Sequence, residues 1–495
     1  MQKKIAFLCV FVIAYTIYFI NLPPWWDGIT TAVTSLDTVK NNIDLYVDFF
    51  AKPPFIFLSL GILFKIFGYS PELIHIYMMI FTLGAIIFTY KVGEILAGKE
   101  IAFSASFFLA FSPMFIAQSV NLNFDLPSMA LLMATYYFII KKNHVFVTIS
   151  GIILVMTKEI GILFMAAALL STILINYTGE RNIGKQRAAI TARIIPIIVF
   201  SIWAYGNYTR RGWFLFPRDS PIIKLDSIFN ENLTMRLEQL FVINYNWILT
   251  ILILCSLLLW AYRRYERFDR EKIEMLLPLI LFSLFFFVVV APIRDFNLPR
   301  YVIVLYPAFY LASAWGVSGL SKNRKISGMI LVSILLIFSA QTVYSIYSTD
   351  PYVFLDPATQ EIYGVDPYIT LGGSEVLEIN LKYVDYVKAD ILLVNFINTT
   401  EPFAPLLLNR FNHYGIFDAA NKGIDIGYGQ KSKRIYKELG DFYRSPDTIS
   451  FPAILVIEDF NRFDLEKLYN MYDVTLLKQI RVNGLGADVY EINKE

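Results

Sequence analysis

Six charged residues interrupt an otherwise apolar sequence at places where chemistry could be done. Asp27 follows Trp25-Trp26, Lys52 opens Lys52-Pro53-Pro54, and Asp125 closes Asn121-Leu122-Asn123-Phe124-Asp125. Lys158 lies in Val155-Met156-Thr157-Lys158-Glu159, Arg210 precedes Arg211, and Arg300 sits in Asn297-Leu298-Pro299-Arg300-Tyr301. A carboxylate beside an aromatic belt is poorly solvated, which raises its pKa and suits it to take a proton from a hydroxyl. Asp27 fits that description, and it fits equally well as the N-cap of a segment over 28–41. Asp125 also has a capping alternative, because Pro127 suits the first turn of a following helix; capping and catalysis are compatible. A lysine at hydrocarbon depth costs about 2.5–3.5 kcal/mol, so Lys158 either snorkels to the interface and pairs with Glu159 or meets an anion. Arg300 either binds headgroups as an interfacial arginine or holds a phosphate bidentately. One arrangement accounts for most of this. A lipid phosphate lies in the bilayer, its head held by Lys52, Lys158, Arg300 and Arg210, and Asp27 works on it. Spacing alone leaves the reaction open.

The elements that must position these residues follow from composition. The 495 residues are 56% hydrophobic and only 17% charged, against roughly 45–50% and 25% in ordinary soluble domains, and mean hydropathy is +0.53. The expected class is therefore a polytopic α-helical membrane protein. Apolar runs long enough to read as spanning helices cover 4–21, 72–90, 101–119, 126–140, 145–157, 159–176, 192–207, 246–262, 275–292, 301–319 and 326–346, which makes about 11 transmembrane helices. A further run, 54–68, is short and carries Lys65. If it lies flat at the outer surface, every basic cluster between close-spaced helices falls on the cytoplasmic side, as membrane topology favours. The N-terminus is then cytoplasmic, and a long outer loop, 22–71, holds Asp27, Asp37, Asp44, Asp48 and Lys52. On the same outer face stand Asp125, Lys158, Glu159, Arg210, Arg211, Arg218, Asp219, Arg294, Asp295 and Arg300. No small-residue cleavage site follows the first run, so it is expected to be retained.

Composition shifts after about residue 347, dividing the chain into a transmembrane domain, 1–347, and an extracytoplasmic α/β domain, 348–495. In the second part 389–396 and 452–458 read as strands, 461–471 as a helix, and 472–482 with 487–492 as a hairpin split at Asn483-Gly484 and Gly486. Two cysteines and three scattered histidines exclude a disulfide scaffold and a histidine or cysteine metal cluster. A net charge of +2 gives no case for nucleic acid. Neither a P-loop nor a dinucleotide-binding glycine pattern is present.

At these residues the sequence resembles the GT-C superfamily of integral membrane glycosyltransferases, and within it the protein-mannosyltransferase-like branch that includes aminoarabinose transferases. The resemblance rests on Trp25-Trp26-Asp27, on Lys52-Pro53-Pro54 with its amphipathic segment closing in Phe67-Gly68, on Ser112-Pro113 followed by Asp125, on Thr157-Lys158, and on Pro299-Arg300-Tyr301. It covers about residues 20–320. It implies an inverting transfer of one sugar from a polyprenyl or dolichyl phosphate to an acceptor hydroxyl of a lipid, glycan or protein on the extracytoplasmic face. Asp27 would be the catalytic carboxylate, Asp125 would help shape the same site, and Lys52, Lys158 and Arg300 would bind the donor phosphate. The chain departs from the family at Gly28, where many members carry a second acid, and at Glu159, where a glycine is usual. No nucleotide or other cofactor is needed; a divalent metal is left open. Two other readings compete. One is a transporter or flippase of lipid-linked sugars, which inverted repeats and mid-membrane charges would favour. The other is a polysaccharide polymerase or ligase with a diphosphate-linked donor, which would depend on outer-loop arginines more than on Asp27.

Overall fold

The computed structural model describes residues 2–25, 27–40, 52–177, 183–215, 231–242, 246–262, 270–290, 299–319, 324–347, 354–355, 362–363, 383–400, 404–408, 416–417, 419–421, 426–428, 436–438, 450–458, 468–482 and 485–493. Asp44, Asp48, Arg218, Asp219, Arg294, Asp295 and most of the helix expected over 461–471 lie outside the described residues.

The apolar runs are helical, the 101–119 run as two helices, and the more polar helices Asp27–Lys40 and Glu231–Phe241 add to them. In order these are α1 (Gln2–Tyr18), α2 (Asp27–Lys40), α3 (Phe55–Phe67), α4 (Pro71–Ala97), α5 (Lys99–Ala110), α6 (Pro113–Ser119), α7 (Asp125–Ile140) and α8 (His144–Val155). There follow α9 (Ile160–Tyr177), α10 (Ile183–Arg211), α11 (Glu231–Phe241), α12 (Asn246–Tyr262), α13 (Arg270–Val290), a 3-10 helix (Pro299–Leu305), α14 (Tyr306–Gly319) and α15 (Arg324–Tyr347). Among the described residues, four stretches are long and apolar enough to cross a membrane by themselves: Pro71–Ala97, Gln186–Arg211, Lys272–Val289 and Arg300–Ser318. The run expected as one span over 101–119 is instead the pair α5 and α6, bent by 65° at Ser112-Pro113; counted as one span it makes five. Six further apolar helices are shorter. At 1.5 Å per residue, the 13 residues of α3 reach about 20 Å, well short of the roughly 30 Å hydrocarbon core. Exposed Ile76, Ile80, Ile198, Ile202, Ile280, Leu284 and Val288 form an apolar exterior that water would penalise and lipid would not.

Two close approaches lock the first polar loop to the bundle. A side chain at Gly61 of α3 would collide with Ser35 O of α2, at 2.3 Å. Ser59 of α3 shares a 2.6 Å hydrogen bond with Tyr77 of α4.

Beyond α15 the described residues form α16 (Tyr383–Thr400) and seven strands: β1 (Phe354–Leu355), β2 (Ile362–Tyr363), β3 (Leu406–Leu408), β4 (Tyr436–Glu438), β5 (Ala453–Glu458), β6 (Asp473–Val482) and β7 (Leu485–Asn493). Five of them form a mixed sheet in the order β4-β3-β5-β7-β6. The expected strand over 452–458 and the final hairpin are both present. The expected strand over 389–396 is not: those residues lie inside α16. The short apolar run hid a longer pattern, because Val384, Val387, Asp390, Leu393, Val394 and Ile397 are buried at the three- and four-residue spacing of a helix face. Val384, Tyr386, Val387, Ile426 and Tyr428 share one buried cluster with Trp25 and Leu8, so this part packs directly onto the helical bundle.

Candidate functional site

Asp27 is the first residue of α2, and its chain entry is held from two sides. Trp25 N donates to Asn121 Oδ1 at 3.4 Å, and His75 Nε2 meets Leu22 O at 2.8 Å. Asp27 O accepts from Thr31 Oγ1 at 2.7 Å, which ties the first turn. Gly28 is crowded at this point. A Cβ there would stand 3.0 Å from Asn121 Oδ1 and 3.1 Å from Leu122 O, so a side chain at this position would require the Asn121–Leu122 loop to shift by a few tenths of an ångström.

The loop that crowds Gly28 also delivers Asp125. Asn123 Nδ2 donates to Gln118 O at 2.6 Å and to Asn121 O at 2.8 Å, folding the loop on itself. Asn123 Oδ1 accepts Leu126 N at 3.0 Å and so performs the capping role considered for Asp125. Asp125, with 3% of its surface exposed, turns its carboxylate to basic side chains instead. Lys158 Nζ donates to Asp125 Oδ1, a carboxylate of the same chain that the sequence does not pair with it, in place of the neighbouring Glu159.

Arg300 joins the two acids. It opens the 3-10 helix before α14, is 3% exposed, and donates through Nη2 to Asp27 Oδ2 at 2.5 Å. Its Nε lies 3.4 Å from Asp125 Oδ2. Phe55 N donates to Met156 O at 2.8 Å, drawing the Lys52-Pro53-Pro54 segment against the turn that carries Lys158. Lys52 Nζ sits over the Phe124 ring, 4.4 Å from its centroid. Five of the six sequence candidates thus converge. Arg210 stands exposed in the last turn of α10 and is not among the groups whose charge acts on Asp27.

A further cation belongs here that sequence reasoning missed. Arg236 of α11 is 1% exposed and lies 5.3 Å from the centroid of the Tyr301 ring; its Nη1 donates to Gln239 at 3.0 Å. The same ring carries Lys158 at 4.3 Å and Arg300 at 5.9 Å. Three cations thus lie around one aromatic ring, each attracted to its quadrupole, which offsets part of their mutual repulsion. Arg236 falls in a short polar helix, and nothing in its spacing distinguishes it from a solvated arginine.

The electrostatics overturn one expectation. Burial does oppose ionisation of Asp27, but the positive charges of Arg300, Lys52 and Lys158 outweigh it, and the carboxyl lies below its ordinary value. The raised pKa expected from the tryptophans is absent because cations, not rings, decide the local potential. Lys52 is held below the ordinary lysine value, first by burial and then by Arg300 and Lys158, with Asp27 and Glu159 offsetting part of this. Among the described residues no group of three His, Cys, Asp or Glu side chains could hold a metal. The two acids are each already engaged by cations, so this donor set does not fit one.

A family profile described as dolichyl-phosphate-mannose-protein mannosyltransferase matches residues 51–205. The fold is similar to that of ArnT from Cupriavidus metallidurans bound to undecaprenyl phosphate, with a TM-score of 0.59 at 12% identity, covering 99% of this chain and 98% of that one. The apo state of the same ArnT gives 0.57 over the same shares at 12% identity. The profile thus covers 155 of the 495 residues, and the likeness over the whole chain is one of fold. An Archaeoglobus fulgidus oligosaccharyltransferase, solved with an inhibitory peptide and a dolichol-phosphate, aligns over 88% of this chain and 64% of its own at 11% identity with a TM-score of 0.48. Among curated proteins, none matches by sequence. The chain is thus an integral membrane protein with an ArnT-like fold, and its site joins residues contributed from before, within and after the profile's span.

Proposed function

We propose that this protein transfers a single sugar from a polyprenyl or dolichyl phosphate to an acceptor hydroxyl on the extracytoplasmic face, with inversion. One observation carries the reading: Asp27 and Asp125 share Arg300, with Lys158 on Asp125 and Lys52 and Arg236 beside them. Four cations about two carboxylates, with Glu159 near enough to act on Lys52, leave a net positive field suited to a phosphate. Asp27 takes the acceptor proton as the hydroxyl oxygen attacks the anomeric carbon, and the bond from that carbon to the phosphate oxygen breaks. The phosphate leaves with more charge than it brought, so Lys52, Lys158 and Arg300 stabilise the transition state more than the ground state. Asp125 shapes the site by holding Lys158 and Arg300. Once the donor phosphate draws Arg300 to itself, Asp27 loses the charge that keeps it acidic and becomes a better base, so donor binding arms the catalyst.

The same reading gives about 11 membrane crossings in 1–347, with 22–71 as the outer catalytic loop. The N-terminus is cytoplasmic and 348–495 forms an extracytoplasmic α/β domain. A likeness in fold to an ArnT that binds undecaprenyl phosphate supports the lipid-phosphate donor. The acceptor is a lipid, a glycan or a protein, and no step is routed through a metal.

The test uses purified protein in detergent with radiolabelled polyprenyl-phosphate sugars and a total membrane extract. Wild type should transfer label, and Asp27→Asn should not, with folding and lipid binding retained. Equal transfer by both would remove Asp27 as the base and leave Asp125. No transfer by either, across several donors, would overturn the enzyme reading in favour of carriage of lipid-linked sugars.

A further inference from the structure

A second set of cations lies at the end of the bundle opposite Asp27. Lys158 follows the last turn of α8, so His144, the first residue of that helix, stands a helix length away, about 18 Å for its 12 residues. α10 packs alongside. Thr148 Oγ1 donates to His144 O at 3.0 Å and reaches Ala192 O at 3.4 Å. The next residue, Arg193, is only 7% exposed. Its Nη1 donates to Ala189 O at 2.7 Å, one turn back along its own helix, which directs the guanidinium toward the level of His144. Its charge acts on the His144 ring.

Each side chain keeps one nitrogen unsatisfied there. Arg193 Nε and His144 Nδ1 are both buried and lack a hydrogen-bond partner. Among the described residues no carboxylate pairs with Arg193, and the neighbouring charges are also positive: Lys141 and Lys142 stand exposed on the turn before α8, and Arg187 is exposed two turns before Arg193. The start of α8 adds to this. Asn143 Oδ1 takes Phe146 N at 3.3 Å, while the helix offers no acceptor to the first amides, those of His144 and Val145. A buried guanidinium without counter-charge is unfavourable in a protein and more so in a membrane. Arg193 lies about two turns inside the apolar stretch Gln186–Arg211, the depth at which a lipid headgroup phosphate could supply the missing charge.

We infer that the space between the start of α8 and Arg193 binds a phosphate oxyanion, supplied by the headgroup of an anionic phospholipid. Arg193 donates to it from Nε, His144 and the α8 amides donate beside it, and Lys141 and Lys142 flank it. This site is separate from the Asp27 cluster and does not depend on the reaction assigned there.

The full-length protein in detergent tests it, with phosphatidylglycerol, phosphatidylcholine or inorganic phosphate added and read by thermal unfolding and by lipid retained in native mass spectrometry. Phosphatidylglycerol should raise the unfolding temperature and be retained several-fold more than phosphatidylcholine. Arg193→Gln should weaken that binding about tenfold or more, the loss of a charge-assisted contact, and Arg193→Lys should restore part of it. Should Arg193→Gln fail to fold, His144→Gln with Lys142→Gln, at the rim, should still weaken binding several-fold. Equal stabilisation by inorganic phosphate through Arg193 would keep the oxyanion site and make free phosphate its source. Equal retention of the two lipids, or unchanged phosphatidylglycerol binding in Arg193→Gln, would overturn the site.

Discussion

Arg300 divides its guanidinium between Asp27 and Asp125, so its removal disturbs a base and a scaffold together. Arg300→Ala is expected to lower transfer by about 10²–10³, the usual cost of deleting one preorganised donor. It should also move the acidic limb of the pH–rate profile to higher pH. Asp27 must be ionised to act, and without Arg300 the main opposing charge to its burial is gone, so it protonates sooner as pH falls. A purely structural role for Arg300 would lower the rate with no movement of that limb. The same depression has a stability consequence. A carboxyl whose folded pKa lies below its unfolded value adds stability that is fully present above about pH 3.9 and is lost as pH falls through the folded value. Acid unfolding of Asp27→Asn should therefore begin from a less steep pH dependence than wild type, measured by thermal unfolding in detergent from pH 6 downward. Lys158 illustrates why single residues were readable only as alternatives. Its depth in an apolar sequence demanded a partner, but sequence proximity pointed to Glu159, while the partner in space is Asp125.

At the scale of elements, the loop Asn121–Phe124 carries more than its length suggests. It caps α7 through Asn123, receives Trp25 N, and walls in Gly28. Asn123→Ala should cost about 0.5–2 kcal/mol, as other lost caps do, read by denaturant unfolding in detergent. Gly28→Ala should cost about 1–3 kcal/mol from overpacking and should lower transfer beyond that loss of stability, because the Cβ pushes directly on the loop that places Asp125. If Gly28→Ala is as active and stable as wild type, the loop can yield, and the crowding at Gly28 places no constraint on the site. Helix positions were legible because a spanning helix needs an apolar run and nothing else in the chain provides one. The broken pair α5–α6 and the helical α16 were not legible as such. A proline after a serine marks a break without giving its angle, and an eight-residue apolar stretch carries too few repeats to separate a period of two from one of 3.6.

The whole molecule adds a clamp. Tyr428 OH donates to Pro24 O at 3.0 Å across 404 positions of sequence, and the Tyr386 ring stacks on Trp25 at 6.4 Å. Gly427, at φ +92°, lets the chain pass against Pro23 and Pro71, where a Cβ would come within 3.2 Å of each. The C-terminal part therefore presses on the three residues that lead into Asp27. Tyr428→Phe leaves a buried carbonyl without its donor, which should cost about 1–3 kcal/mol; with the lead-in loosened, turnover should fall while donor affinity stays the same. A fall in donor affinity with unchanged turnover would show that the clamp acts on the lipid site rather than on Asp27.

By itself the sequence determined the membrane class, the positions of the apolar helices up to about residue 347 and the identity of five of the residues that meet at the site. Each of those is a local property: an apolar run must leave water, and a charge inside or beside it must be compensated. Which charge compensates which was decided only by tertiary structure. Asp27 and Arg300 stand 273 positions apart, and their meeting depends on where α2, α7 and the 3-10 helix end relative to one another. The depressed pKa of Asp27, the recruitment of Arg236 and the crowding at Gly28 all follow from that packing, because electrostatic and steric interactions depend on distances in space that sequence separation does not encode.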